Sequence, residues 1–237
     1  MSRPNDRLRV SVVAALVAVA VLAPAVARAD QVFTVNMGYF MLRGEDGRSE
    51  NDVLWRNLDF LWYDIDEFNG FTIGGEWAFG IGDYLEVGGG IGYYKQTVPS
   101  VYADVIDEDG TEIYQELRLR IVPYTAIARF FPLTRNAPVQ PYIGAGVGFF
   151  SWRYSETGEF VDFSDGAIFR GNYEDEGTEV GPVVVGGVRF PVGPAILLGG
   201  EFRYQDATAD LDESQGFAGT EIDLGGYTWL ATFQIRF

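Results

Sequence analysis

The chain has 237 residues, with 17 Lys and Arg against 34 Asp and Glu and a formal charge of −17. So acidic a chain lacks the basic footprint that nucleic-acid binding needs, so no nucleic-acid partner is expected. It contains no Cys and no His, which excludes a disulfide framework, thiolate chemistry, the commonest general base and the commonest transition-metal ligand.

Residues 1–29 read as a secretory signal peptide. Arg3, Arg7 and Arg9 form a positive start, Val10–Ala23 is apolar but for Ser11, and Ala27-Arg28-Ala29 is a small-x-small cleavage site. The apolar stretch is shorter than the ~20 residues of a spanning helix. The mature domain is then 30–237, with a formal charge of −20.

Eight segments alternate with period two, the signature of strands with two distinct faces. They are Gln31–Leu42, Phe71–Phe79, Leu85–Tyr94, Glu116–Phe130, Val139–Tyr154, Thr178–Phe190, Ala195–Gln205 and Leu224–Phe237. Strands of ~9–11 residues suffice to cross a bilayer when tilted. Short connections (Gly80–Tyr84, Phe131–Pro138, Pro191–Pro194) alternate with long ones (Arg43–Gly70, Gln96–Gln115, Ser155–Gly177, Asp206–Asp223). The predicted fold is therefore all-β: an eight-stranded antiparallel up-and-down transmembrane β-barrel with four long extracellular loops and three short periplasmic turns. The long connections hold 26 of the 33 mature acids, and carboxylates collect where the chain is wet.

The last strand sets the faces. Tyr227, Trp229, Ala231, Phe233, Ile235 and Phe237 share one parity; Thr228, Leu230, Thr232, Gln234 and Arg236 share the other. The apolar parity is expected to face lipid, because an Arg there at mid-depth costs ~2–4 kcal/mol. The same rule sends Glu76, Glu86, Glu116, Arg118, Arg120, Arg189, Glu201, Arg203 and Arg236 inward as a charge cluster filling the lumen, with inward glycines such as Gly88, Gly90, Gly144 and Gly146 making room. Glu116, Arg118 and Arg120 have an alternative place, above the membrane as a solvated hairpin base. The parity that puts Leu117, Leu119 and Ile121 in lipid also puts Arg129 there, so the strand is expected either to bulge near Pro123 or to leave Arg129 at the rim. Aromatic girdles are expected at Trp77, Phe79, Tyr84 and Tyr142 on the turn side, and at Tyr39, Tyr93, Trp152 and Tyr154 on the loop side.

The glycine runs lack a following helix and so do not cradle phosphate. The acidic turns Asp107–Gly110 and Glu174–Gly177 lack EF-hand spacing. No catalytic residue, cofactor or metal is expected.

Pro141-Tyr-Ile-Gly-Ala-Gly-Val-Gly-Phe-Phe150, the terminal Gln234-Ile-Arg-Phe237 and the loop plan resemble the outer-membrane β-barrel domain family, in particular its eight-stranded group of OmpA-, OmpX-, OmpW- and opacity-like proteins. The resemblance implies an outer-membrane location and contact with membrane lipid and lipopolysaccharide. It also implies that Tyr227, Phe233, Ile235 and Phe237 are the signal read by the barrel-assembly machinery. The peptidoglycan-binding domain of OmpA-type members is not expected here. Lipid-active enzymes of this membrane use a catalytic His, which this chain lacks. The expected function is a non-enzymatic, monomeric barrel with a charge-plugged lumen, acting in envelope integrity or through its acidic loops, whose ligand is unknown. The alternatives are a narrow porin-like channel and a soluble periplasmic barrel.

Overall fold

The computed structural model describes residues 30–107, 109–162 and 164–237; the expected signal peptide lies outside the described residues. In chain order the elements are β1 (Gln31–Leu42), helix α1 (Val53–Asn57), β2 (Leu61–Trp62), β3 (Gly70–Ile81), β4 (Leu85–Ile106), β5 (Glu112–Phe130), β6 (Gln140–Asp162), β7 (Ala167–Pro191), β8 (Ile196–Gln205), β9 (Thr208–Asp210), β10 (Glu221–Asp223) and β11 (Gly226–Arg236). Eight of these strands close a ring of antiparallel neighbours in the order β1-β3-β4-β5-β6-β7-β8-β11. The ring is sealed by β1 and β11, paired from Val32↔Arg236 to Leu42↔Gly226. Gln31 and Phe237 then exchange backbone hydrogen bonds of 2.9 and 3.0 Å. Among the described residues no helix is long and apolar enough to cross a membrane.

The strands differ greatly in length. β1, β3, β8 and β11 have 10–12 residues, whereas β4, β5, β6 and β7 have 22, 19, 23 and 25. Two of the four long connections are thus largely hairpins that continue the barrel strands. On these strands the first ~10 residues from the turn side suffice to cross a bilayer, and the rest rise beyond it as a four-stranded wall. The concave side of the wall is filled by the β1–β3 and β8–β11 connections.

Polarity inverts between the two levels. Near the turns the outer surface is apolar: Phe33, Ile73, Trp77, Val87, Ile143 and Phe233 are exposed, while Glu76, Glu86 and Glu201 are buried inside. Beyond that band the interior becomes a hydrophobic core of Leu117, Leu119, Ile121, Trp152 and Tyr154, joined by Val53 and Leu54 of α1 and by Phe68. The outer surface there carries Arg118, Arg153, Glu174 and Glu176, all exposed or half-exposed. The driving force is the same at both levels: apolar groups leave water. Only the location of the water changes.

That inversion corrects the sequence reading of β5. Its pairing with β4 runs in one register from Leu85↔Phe130 to Val101↔Tyr114, with no bulge at Pro123. One parity therefore faces inward throughout, carrying Leu117, Leu119, Ile121 and Arg129, all buried. Glu116, Arg118 and Arg120 face outward, above the apolar band, at the place the alternative reading gave them. Three girdle residues are also corrected. Tyr142, Trp152 and Tyr154 have inward parity and are buried, whereas Tyr39, Tyr93, Trp77, Phe79 and Tyr84 are exposed on the outer surface.

Candidate functional site: the filled lumen

The lumen inside the apolar band is built from alternate positions of the ring strands. Arg129 on β5 is its hub. It grips Glu76 of β3 with both terminal nitrogens, one bond being 2.8 Å, and donates to Glu201 of β8 at 2.8 Å. Glu201 also accepts from Arg203 at 2.7 Å and from the Tyr142 hydroxyl at 3.0 Å. A second knot lies nearer the turns. Arg189 on β7 donates to both oxygens of Glu86 at 3.0 and 3.3 Å, to Gln140 at 2.8 Å and to Gln234 at 3.2 Å.

The β5–β6 turn closes the lumen from below. Phe131 is fully buried, and the Arg189 guanidinium lies 4.3 Å from its ring centroid. Arg135 reaches inward to 3.4 Å from Glu86. Arg236 donates to the Arg135 carbonyl at 2.9 Å and to Gln140 at 3.2 Å. Charges taken out of water must be paired and hydrogen-bonded, and every carboxylate here has at least two cationic partners within 4 Å. Inward glycines leave the space: a Cβ on Gly88 would stand 3.1 Å from a Glu76 oxygen, and one on Gly146 only 1.9 Å from the Ala126 carbonyl oxygen.

Of the predicted cluster, the structure brings together Glu76, Glu86, Arg189, Glu201, Arg203 and Arg236. It leaves out Glu116, Arg118 and Arg120. Sequence reasoning missed Arg129 and Arg135. Arg129 carried a usable signal: an arginine opposite Gly144 and Glu86 shares the parity of inward residues.

Above the charge layer, the β1–β3 connection folds into the mouth. Asp52 caps α1, accepting from Leu54 N at 2.9 Å and Trp55 N at 3.1 Å. Its other oxygen accepts from Arg48 at 2.7 Å and from Asp223 N at 2.7 Å, tying the first loop to the last. Arg43 adds a contact to Asp223 at 3.0 Å. Burial pushes the Asp223 carboxyl above its ordinary value, against Gly225 N–H and the two arginines. Asn57 of α1 donates to Glu156 at 2.7 Å, and Tyr154 donates to the same oxygen at 2.7 Å. Burial likewise raises Glu156, which has hydrogen-bond donors but no cation among its contacts. Between core and charge layer lies a cavity of about 30 Å³ lined by Asn36, Tyr94, Thr125 and Arg203, and within the charge layer one of about 10 Å³. Such spaces hold one or two water molecules.

A model of the outer membrane protein beta-barrel domain matches residues 11–237. The chain belongs to that family. As an outer-membrane barrel it lies in the lipid bilayer of the outer membrane, its apolar band against lipid, its long loops outside and its short turns in the periplasm. OprG of Pseudomonas aeruginosa is similar at 13% identity, covering 89% of this chain and 97% of that one with a TM-score of 0.51. Neisserial surface protein A is similar at 16% identity (88% and 97% covered, TM-score 0.47), and outer membrane protein W of E. coli at 15% (89% and 100%, TM-score 0.44). No curated protein sequence gives a significant match.

Within this barrel the ion pairs act as cross-links. They join β3, β4, β5, β7 and β8 across the lumen. The three carboxylates are engaged by guanidinium groups, and among the described residues no cluster of acids could hold a metal ion.

Proposed function

We propose that this barrel is a non-enzymatic envelope protein with a closed lumen, which stabilises the outer membrane and meets the exterior through its acidic loops. One observation carries the reading: paired charges fill the lumen beneath a capped mouth, and the cavities among these described residues measure about 30 and 10 Å³. A solute path needs continuous water, which spaces of one or two molecules do not provide. Catalysis has no support in the lumen, since Glu76, Glu86 and Glu201 are engaged by arginines and the chain has no His.

In this reading residues 1–29 are a signal peptide, the barrel acts as a monomer, and lipopolysaccharide is the surrounding outer-leaflet lipid. Tyr227, Phe233, Ile235 and Phe237, exposed in one outward row of β11 and its end, serve as the row read by the assembly machinery. The test is a strain lacking the protein. We expect raised sensitivity to detergents, restored by the wild-type chain and equally by a chain with lumenal pairs rebuilt as apolar residues. Unchanged sensitivity, together with slower uptake of small solutes, would replace this reading by the porin-like one.

A further inference from the structure

The outward-facing cations of this barrel are not scattered. Of the thirteen Lys and Arg in residues 30–237, five belong to the lumen cluster, three to the first loop, and Arg170 to the far hairpin. The remaining four, Lys95, Arg118, Arg120 and Arg153, share one patch of the outer wall. Lys95 pairs directly with Arg120 across β4 and β5, and Arg120 with Arg153 across β5 and β6. Arg118 stands one outward position further along β5.

Like charges directly opposite on a sheet face repel. Two of the four are compensated. Arg153 donates to Glu176 at 2.8 Å and lies 3.4 Å from Glu174, and Arg118 lies 3.4 Å from Glu116 and donates to Thr97 at 3.2 Å. Among the described residues no carboxylate pairs with Lys95 or Arg120, and the buried Nε of Arg120 has no hydrogen-bond partner. A chain with 33 mature acids leaves its central pair of wall cations without one.

The height of the patch says what the missing anion is. Tyr93 is two residues before Lys95 on β4, and Tyr124 four residues from Arg120 on β5; both are exposed outer-girdle aromatics. Girdle aromatics sit at the headgroup level, and two residues advance a strand by ~7 Å, which sets the cations at the lipid phosphates. Below them the outer wall carries a bulky row of Ile91, Tyr124 and Phe149, followed by two rows of smaller residues. Gly89, Ala126 and Val147 form one outward row, and Val87, Ala128 and Ala145 the next. A Cβ on Gly89 would meet nothing closer than 3.6 Å, so the barrel itself does not require glycine there.

We propose that Lys95 and Arg120, flanked by Arg118 and Arg153, hold a phosphate of an outer-leaflet lipid headgroup. The site gives specific form to the lipopolysaccharide contact proposed above and is independent of whether the lumen conducts. The protein in phosphatidylcholine nanodiscs is titrated with diphosphoryl lipid A, and bound lipid is counted by native mass spectrometry. The Lys95→Gln/Arg120→Gln variant is expected to bind about 30-fold more weakly, each cation near a charged surface contributing about fivefold. Arg170→Gln is expected to bind as wild type, and Lys95→Arg/Arg120→Lys to restore binding. Lipid A without phosphates is expected to bind wild type as weakly as the double variant. Heat-modifiable migration in gels checks that each variant is a closed barrel. Equal binding by wild type and the double variant, or by phosphorylated and phosphate-free lipid A, overturns the proposal. Displacement by millimolar inorganic phosphate overturns the lipid as its ligand.

Discussion

Arg129→Ala removes the hub of the lumen and leaves its two carboxylates unequal. Glu201 keeps Arg203 at 2.7 Å and Tyr142 at 3.0 Å. Glu76 loses both bonds from Arg129, and its nearest remaining cation is Arg203 at 3.8 Å. Breaking a buried pair by deleting one partner costs ~3–5 kcal/mol, because a charge is left without compensation. Since Glu201 stays paired, the lower end, about 3 kcal/mol, is expected. The assay is urea unfolding of the refolded barrel in detergent micelles, followed by tryptophan fluorescence and by heat-modifiable migration. Arg129→Met with Glu76→Gln removes both charges and is expected to recover most of the loss. Arg170→Ala, which breaks an exposed contact to Glu159, is expected to change nothing measurable. A cost for Arg129→Ala below about 1 kcal/mol, or no recovery in the double variant, would refute the reasoning that desolvated pairing holds the lumen together.

Three further outcomes are expected. Leu119→Ala, deep in the upper core, should cost ~2–5 kcal/mol and expose the 43–69 connection to protease while the membrane band stays closed; simultaneous loss of both would show that the two levels do not open separately. Burial raises the Glu156 carboxyl, so the folded state binds the extra proton and stability falls as pH rises from the ordinary Glu range through the raised value. Glu156→Gln should flatten that dependence above the ordinary Glu range and should be no less stable than wild type once Glu156 is ionised; an unaltered slope in urea-midpoint measurements would assign the dependence to other groups. Deleting Phe237 should lower assembly into the outer membrane while leaving secretion intact, as read by cell fractionation, and undiminished assembly would count against its role as a signal.

The barrel was legible because its membrane level obeys one rule. Charges on β3, β7, β8 and β11 had to turn away from lipid, and Glu76, Arg189, Glu201 and Arg236 did so. The rule stops where the membrane stops. Leu117, Leu119 and Ile121 read as lipid-facing only on the premise that β5 lies wholly in the bilayer; its 19 residues exceed the crossing length, and the outer half buries its apolar face inward like a water-soluble sheet. That one assumption displaced Glu116, Arg118 and Arg120 and hid Arg129. Tyr142, Trp152 and Tyr154 share the inward parity of Gly144 and Gly146, so their girdle placement rests on aromatic type against the alternation of their own strand. Helix α1 escaped notice because five residues are too few to show a period, although Asp52 before Val53-Leu54-Trp55 was a usable capping signal. The pairing of the first loop with the last through Arg48, Asp52 and Asp223 spans some 170 residues, and no local pattern announces it.

Planar-bilayer recording of the purified, refolded barrel tests the closed lumen most directly. With the charge layer paired and the mouth filled by α1 and its neighbours, the expected record is a quiet membrane with no steady channels, at any salt that leaves the barrel folded. Steady, reproducible single-channel conductance from wild-type protein would contradict it.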